Sequence, residues 1–207
     1  MSKSEKIKIL YVESGTSGGG SFESLYQYLR AANRQSFHPV VVYLNNTHYV
    51  ELVKSLGITV YVLTDWFYSK QSPSYMYRVL HKMTAIIESY MPRFYLSFLQ
   101  LTHIPMLISL NHIVNKEKID IIHLNVQINR DLFGLFVAER TNVPCISHLR
   151  SMRSGGFDRF RAAYANRVVS AFIANSNSTK EHWIKLGIDE KKTNVVCNAI
   201  NKAEIKP

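Results

Sequence analysis

Cysteine is scarce in this chain, and long apolar runs are missing. The 207 residues include two cysteines, Cys145 and Cys197, which form no C-x-x-C motif, so we expect neither a disulfide framework nor a zinc site. Both lie in apolar runs, which predicts two buried thiols in a reducing compartment. No stretch of about 18 uninterrupted apolar residues occurs, so we expect no transmembrane helix. The N-terminus enters a strand-like run directly, and we therefore expect no secretory signal.

Acidic residues are also few. The chain carries 25 Lys and Arg against 15 Asp and Glu, a formal net charge of +10. Such an excess indicates an acidic partner, such as phosphate groups, anionic lipid or nucleic acid. A nucleic-acid-binding module would need a basic stripe on a recognition element. Here the charge is spread through the chain, so we expect no nucleic-acid partner. The histidines are scattered without a ligand-like spacing, and we expect no metal ion and no separate cofactor.

Apolar strand-like runs alternate with helix-like segments through most of the chain. Near-continuous apolar strands separated by helices predict an α/β fold, a Rossmann-like parallel sheet with helices on both faces. The strand-like runs are IKILYV, HPVVVYL, ITVYVL, DIIHLN, PCISHL, AFIAN and NVVCN.

The alternation breaks over residues 64–118, which we interpret as a helical insertion. The run SYMYRVLHKMTAIIESYM predicts one helix ended by Pro92, and a second apolar helix is expected over 95–114 with a kink or break at Pro105. One interpretation is a helical pair that packs on the sheet. The other is an aromatic, basic surface that lies against a membrane or an acceptor lipid.

A glycine-dense loop, ESGTSGGGSFESL, follows the first strand-like run. The spacing G-x-G-x-x-G fails because Glu23 stands in the third glycine place, and a P-loop fails because Ser21 stands where Lys is required. Neither a nicotinamide dehydrogenase nor a P-loop ATPase is therefore favoured. The glycines either let the strand turn tightly into a helix or bring the backbone close to a ligand, and three in succession exceed what a turn needs.

Small polar residues stand at the ends of the strand-like runs. In open parallel sheets, ligands bind outside the carboxyl ends of the strands. The residues at these ends, which we expect to form one site, are 14–20, Asn125, 148–150, 175–178 and Asn198.

Together these segments resemble the group 1 nucleotide-sugar glycosyltransferases, which are family 4-like and have the GT-B fold. The longest match is FIANSNSTKEHWIKLGIDEKKTNVVCNAIN, which follows the family's ordered pattern of S, L/W, G-[IV], K-[IV] and N-G-[IV]-[DN], with Ala199 in place of the glycine. The glycine loop, DIIHLN and VPCISHLRS resemble three further family segments in the same order. The resemblance covers the chain except residues 64–118.

The resemblance implies that residues 1–207 form a single N-terminal, acceptor-side domain, with the insertion at about 64–118. The family's C-terminal donor-binding domain, with its glutamate pair spaced E-x-x-x-x-x-x-x-E, is absent from this sequence. We therefore expect either half of a longer enzyme or a half-protein that needs a partner chain, and we expect the isolated chain to be inactive.

The implied activity is a retaining transfer, of hexosyltransferase type, from a nucleotide-diphosphate sugar to a glycan or lipid-linked acceptor. This would serve cell-envelope or polysaccharide biosynthesis in the cytoplasm, peripherally at the inner membrane face. Two alternatives stay open. One is a non-catalytic subunit that binds acceptor or membrane, and the other is half of a sugar-nucleotide epimerase.

Site residues follow from the same resemblance. The glycine loop would hold the donor diphosphate on backbone amides at a helix N-terminus. His148 would be catalytic and would touch the sugar or the acceptor, whereas His123 is interpreted as structural. The loop residues are Gly18, Gly19 and Gly20, the acceptor-binding residues are Arg150, Arg153 and Asn125, and those at the cleft edge are Ser176, Asn177 and Asn198.

Overall fold

The computed structural model describes residues 6–15, 19–63 and 75–198. The strands are β1 (Ile7–Glu13), β2 (Phe37–Tyr43), β3 (Thr59–Val62), β4 (Ile121–Leu124), β5 (Cys145–Leu149), β6 (Val169–Ala174) and β7 (Thr193–Val195). The helices are α1 (Gly20–Ala31), α2 (His48–Ser55), α3 (Tyr75–Tyr90), α4 (Pro92–Thr102), α5 (Ile104–Glu117), α6 (Leu132–Thr141), α7 (Arg159–Val168) and α8 (Asn177–Lys185).

All seven strands form one parallel sheet in the order β3-β2-β1-β4-β5-β6-β7. The chain starts at β1, builds outward to β3, returns to β4 on the other side of β1, and then continues to β7. The direction of building therefore reverses between β1 and β4. In open α/β sheets this reversal opens a crevice at the carboxyl ends of the two strands.

Alternating residues of the strands point to two cores, one on each face of the sheet. Leu10 and Val12 join the larger core with side chains from α4, α5, α6, α7 and α8, whereas Ile9 and Tyr11 join a second core with α1 and α2. Successive side chains of a strand such as β1 therefore enter opposite cores, and both must be apolar. This is why the strand-like runs are nearly continuous apolar stretches in the sequence. The predicted α/β fold, a parallel sheet with helices on both faces, is confirmed.

The predicted helical insertion contains three helices in its described part, and residues 64–74 lie outside the described residues. Pro92 ends the first predicted helix, as expected, and is the first residue of α4. The second predicted helix is two helices, because the chain breaks at His103 and α5 begins with Pro105 in its first turn. A proline in the first turn of a helix loses no intrahelical hydrogen bond, so Pro105 is compatible with the start of α5. Of the two expected outcomes, a kink and a break, the structure shows the break.

The two thiols differ in environment. Cys145 is buried on β5, but Cys197 is exposed. The prediction of a buried Cys197 is wrong because this residue follows β7, a three-residue strand at the edge of the sheet, and no described helix covers it.

Candidate functional site

The carboxyl ends of β1 and β4 are joined by a direct side-chain contact. Glu13 ends β1, Asn125 directly follows β4, and the Asn125 side-chain amide donates a hydrogen bond of 2.5 Å to the Glu13 carboxylate. The Asn125 backbone amide also donates to the Val12 carbonyl, 3.0 Å away. Both side chains are almost fully buried. Glu13 and Asn125 are therefore a fixed polar pair at the bottom of the crevice between β1 and β4, where the order of the strands reverses.

Glu13 organises the start of the loop that follows β1. The Gly15 backbone amide donates to its Oε1 at 3.0 Å, and the Ser21 hydroxyl donates to the same oxygen at 3.2 Å. Burial raises the pKa of Glu13 above its usual value, while the hydrogen bonds from Asn125, Gly15 and Ser21 oppose that rise. The carboxylate thus ties both ends of the glycine loop to the end of β1.

Asp131 holds the other side of the crevice, at the start of α6. Its carboxylate accepts hydrogen bonds from the Ser14 hydroxyl at 2.6 Å and from the backbone amides of Val126 and Gln127, each at 2.9 Å. The side chain is fully buried, and this burial raises the pKa of Asp131 to about 7. The loops after β1 and β4 are therefore fixed to each other by two buried carboxyl groups.

Arg150, directly after β5, joins four segments of the chain. Its Nε donates to the Asn125 carbonyl at 2.6 Å and one terminal nitrogen donates to Asn125 Oδ1 at 2.7 Å. The other terminal nitrogen donates to the Ser24 hydroxyl at 2.9 Å and to Asn198 Oδ1 at 3.1 Å. Burial lowers the pKa of Arg150 to about 10, so the guanidinium is still charged at neutral pH. Every nitrogen of the guanidinium is engaged with protein.

Arg153, the second predicted acceptor-binding arginine, has a different environment. It is exposed, and its guanidinium makes no hydrogen bond or ion pair with any described residue. Its backbone is held instead, because Gln127 donates to the Arg153 carbonyl at 3.1 Å and Ser151 accepts from its amide at 3.3 Å. The loop after β5 thus presents one engaged arginine and one free arginine at the same edge.

The glycine loop leads into α1, and no side chain of the described residues caps the start of this helix. Gly19 is the N-cap residue, and its carbonyl accepts from the amides of Phe22 and Glu23. A Cβ on Gly20 would meet nothing within 4 Å, whereas one on Gly15 would lie 2.4 Å from the Phe22 ring. The fold therefore requires glycine at Gly15, while the protein leaves open space beside Gly20. Gly18 lies outside the described residues.

His148 lies on a face of the sheet in a row of rings. Its ring stacks on His123, with centroids 5.6 Å apart, and His123 in turn contacts Tyr11 at 5.1 Å. Both ring nitrogens of His148 are buried without a hydrogen-bond partner among the described residues. Burial lowers the pKa of His148 to about 2 and that of His123 to about 4, so both rings are neutral at physiological pH. His148 can therefore offer a neutral donor and acceptor, not an imidazolium.

The predicted cleft-edge residues divide between two roles. Asn198 belongs to the Arg150 cluster, since it also accepts a hydrogen bond from Ser24 at 3.3 Å. Ser176 caps α8, because its hydroxyl accepts from the Thr179 amide at 3.1 Å, and Asn177 is the exposed first residue of that helix. The structure thus brings Asn125, Arg150 and Asn198 together and places Ser176 and Asn177 at the neighbouring helix N-terminus.

Three residues of this cluster were not among the predicted site residues: Glu13, Ser24 and Asp131. For Glu13 a signal exists, because a carboxylate closes an otherwise apolar strand and precedes the glycine loop. Asp131 stands before a helix-like segment and carries no further signal in the sequence. Ser24 gives no signal, since it is one of several polar residues on α1.

The described residues hold no group of three His, Cys, Asp or Glu side chains placed to bind a metal ion. Among the described residues, the edge offers instead the free guanidinium of Arg153 and the start of α1, which no described side chain caps. These are groups that bind phosphate and hydroxyl oxygens.

Comparison with known protein families identifies the family of this chain. The profile of Glycosyltransferase Family 4 matches residues 46–204. The chain belongs to glycosyltransferase family 4. A comparison with curated protein sequences gave no match.

Solved structures share the fold of this family 4 domain. The Anabaena protein Alr3699/HepE, solved in complex with UDP-glucose, aligns with a TM-score of 0.59 at 18% identity over 94% of this chain and 44% of its own. The UDP-GlcNAc 2-epimerase of Methanocaldococcus jannaschii, solved with UDP-GlcNAc and UDP, aligns with a TM-score of 0.52 at 21% identity over 94% and 47%. The epimerase of Neisseria meningitidis gives 0.52 at 15% identity over 91% and 45%.

This family 4 domain therefore spans less than half the length of the structures it matches. The fold and the family together identify it as the N-terminal domain of a GT-B glycosyltransferase of the family 4 type. The resemblance predicted from the sequence is confirmed.

Proposed function

We propose that this domain is the acceptor-binding half of a retaining glycosyltransferase that moves a hexose from a nucleotide-diphosphate sugar to a glycan or lipid-linked acceptor. The observation that carries the proposal is the cluster of Glu13, Asn125 and Arg150 at the carboxyl edge of the sheet, where the direction of building reverses. Such edges are where α/β sheets bind their ligands. Alr3699/HepE, of the same fold, was solved with UDP-glucose.

In this proposal the groups around the cluster have separate roles. The free guanidinium of Arg153 contacts an acceptor phosphate, because arginine binds phosphate bidentately. The amides at the start of α1 face the donor diphosphate and offset the negative charge that develops on the leaving group. The neutral ring of His148 hydrogen-bonds a sugar or acceptor hydroxyl. Arg150 and Asn125 hold these elements in place, and Asn198, Ser176 and Asn177 border the cleft.

The donor nucleotide would be bound by a C-terminal domain or by a partner chain, because the resemblance assigns donor binding to the second half of the family's enzymes, and neither a metal nor a separate cofactor would be required. Isolated residues 1–207 would then be inactive. The acceptor chemistry suits cell-envelope or polysaccharide biosynthesis on the cytoplasmic side of the inner membrane, with peripheral contact to that membrane.

One specific observation keeps an alternative in view. Several of the matched structures, including those from Methanocaldococcus jannaschii and Neisseria meningitidis, are UDP-GlcNAc 2-epimerases. Carboxyl groups that exchange protons with a substrate need free oxygen atoms, whereas those of Glu13 and Asp131 accept hydrogen bonds from the protein itself; the equally buried ring nitrogens of His148 have no such partner among the described residues. This favours transfer over epimerisation.

The experiment is a transfer assay on the full gene product, including any region encoded beyond Pro207. Radiolabelled UDP-sugars and GDP-sugars are offered with a lipid and glycan extract, and label in the extract is measured. We expect transfer with retention, seen by NMR of the anomeric carbon, and its loss in His148→Ala with the fold intact by circular dichroism. His112→Ala, an exposed histidine of α5, is the control and should keep full activity.

Three results would argue against the proposal. Unaltered turnover in His148→Ala would remove the assigned role of that residue. Interconversion of UDP-GlcNAc with its 2-epimer, without label in the extract, would identify an epimerase. Binding of extract components without any consumption of donor would identify a non-catalytic subunit.

A further inference from the structure

Exposed apolar side chains concentrate on the helical insertion. Nine of the fourteen large hydrophobic side chains that are exposed among the described residues fall between residues 79 and 108. The densest group, which we name the α3–α4 surface, runs along α3 and around the corner into α4. It consists of Val79, Met83, Ile86, Tyr90, Met91 and Phe94.

These side chains form a continuous stripe and are not scattered singly. Residues 79, 83, 86 and 90 are spaced by four, three and four positions, which places them on one face of α3. The corner that follows is tight, because the Phe94 amide donates to the Met91 carbonyl at 2.9 Å. Tyr90 is 82% exposed and Phe94 is 58% exposed, so the most prominent side chains at this corner are aromatic. Exposed apolar groups of this extent mark an interaction surface.

The charge around the α3–α4 surface has one sign. Residues 75–102 include three cations, Arg78, Lys82 and Arg93, and a single acid, Glu88. The Glu88 carboxylate is not available to a binding partner, because it forms an ion pair of 2.7 Å with Arg161 of α7, whose side chain is 2% exposed. Lys82 and Arg93 are exposed beside the apolar stripe. The surface therefore combines aromatic and aliphatic groups with uncompensated positive charge.

The same helices adjoin the loop that carries Arg153. The Arg161 guanidinium lies 4.2 Å from the centre of the Tyr95 ring of α4 and bonds Glu88 of α3. A Cβ on Gly156, in the loop between β5 and α7, would lie 2.2 Å from the Glu88 carboxylate, so loop and helix are in direct contact. Glu88 lies on the face of α3 opposite the apolar stripe, so this loop and the α3–α4 surface are separated by about one helix diameter, roughly 10 Å.

We infer that the α3–α4 surface docks on the surface of an anionic lipid bilayer, with Tyr90 and Phe94 entering the headgroup region and Lys82 and Arg93 facing anionic headgroups. The inference rests on the proposed function and deepens it by naming the surface that contacts the membrane. Within the described part of the chain, none of the helices has the length and apolarity to cross a bilayer. Aromatic groups and cations beside an apolar stripe match the interfacial mode of binding.

The test is flotation of the purified chain with vesicles of phosphatidylcholine, alone or with roughly 30 mol% phosphatidylglycerol. We expect the chain to float with the anionic vesicles. Ile86→Glu combined with Phe94→Glu should abolish flotation, and Leu52→Glu, an exposed leucine of α2, is the matched control that should not change it. Tyr90→Ser, at an 82% exposed position that leaves the core untouched, should weaken flotation even if the double variant does not fold.

Charge is tested separately. Lys82→Glu and Arg93→Glu should each reduce binding to anionic vesicles by at least about fivefold, since one cation near such a surface contributes about 1 kcal/mol. Lys185→Glu on α8 is the control, being an exposed lysine on another helix.

No flotation with either vesicle, or equal loss in the control variants, would overturn the inference. So would a chain that dimerises through this surface, seen by light scattering, and binds no vesicles. Flotation needs no transfer activity, so its failure leaves the glycosyltransferase proposal to its own assay.

Discussion

At the scale of single residues, Arg150 shows how a functional edge is built by one side chain. Its hydrogen bonds reach residues 25, 48 and 126 positions away in the sequence. A guanidinium suits this role because its planar fork offers five donors in fixed directions, which an ammonium group does not. The same engagement leaves Arg153, three residues later, as the arginine free to meet a ligand.

Removing Arg150 should therefore cost stability, and removing Arg153 should not. We expect Arg150→Ala to lower the free energy of unfolding by about 2–4 kcal/mol, because buried acceptors on Asn125 lose charged hydrogen bonds. Arg150→Lys should recover only part of this. Arg153→Ala, the matched exposed control, should stay within about 0.5 kcal/mol. Urea denaturation measures all three, and similar losses for the two alanine variants would contradict this division of roles.

At the scale of helices and strands, the junction of α3 and α7 contains a buried ion pair, which joins the insertion to the domain beside the packing of α4 and α5 in the larger core. Arg161 is almost fully buried and pairs with Glu88, while Arg167 and Glu139 form a comparable pair at the surface of α7 and α6. A charge left alone in a buried place is costly, whereas an exposed pair contributes little.

We expect Glu88→Ala to lower the free energy of unfolding by about 3 kcal/mol, because it leaves the Arg161 guanidinium buried without its carboxylate. Arg167→Ala, which removes the exposed partner of Glu139 and keeps the hydrogen bond from Tyr164, should cost less than about 1 kcal/mol. Glu88→Leu with Arg161→Met should recover most of the loss, since the replaced pair is then apolar. A double-mutant cycle by urea denaturation gives the coupling, and a coupling near zero would show that the junction does not depend on this pair.

The elements themselves could largely be predicted from the sequence. The strands were visible because most are short, largely apolar runs, and those in the middle of the sheet are mostly buried. At Pro105 either a kink or a break was expected, and the structure shows a break at His103, two residues earlier, although Leu99, Met106 and Leu107 are buried and continue one apolar pattern across it. The convergence of Asn125, Arg150 and Asn198 followed from parallel strands ending at one edge. Their mutual bonding did not, since no local spacing encodes contacts between residues so far apart.

At the scale of the whole molecule, charge is distributed unevenly between surface and interior. The formal net charge is +10, yet two of the few acids, Glu13 and Asp131, are fully buried at the candidate site. Arg161 is a buried cation and the Arg150 guanidinium is engaged with protein, so these charges offset the two acids and the surface keeps most of the positive excess, which favours attraction to phosphate-bearing partners. Burial of Glu13 and Asp131 also affects stability. It raises the pKa of each carboxyl group, so each is protonated more easily in the folded state than in the unfolded state.

The stability of the whole domain should consequently depend on pH through Asp131. Its pKa rises from 3.8 in an exposed setting to about 7 in the fold, so the folded state holds a proton that the unfolded state has lost between these values. This contribution is complete below about pH 4 and disappears as pH rises through about 7. Asp131→Asn keeps the shape, and its amide can still meet Ser14, Val126 and Gln127. We expect the variant to lose less stability than wild type between pH 5 and 8, by about 1–3 kcal/mol. Glu51→Gln, at an exposed carboxylate, should leave the pH profile unchanged. Parallel profiles for wild type and Asp131→Asn in urea denaturation would show that Asp131 is already ionised in the folded domain.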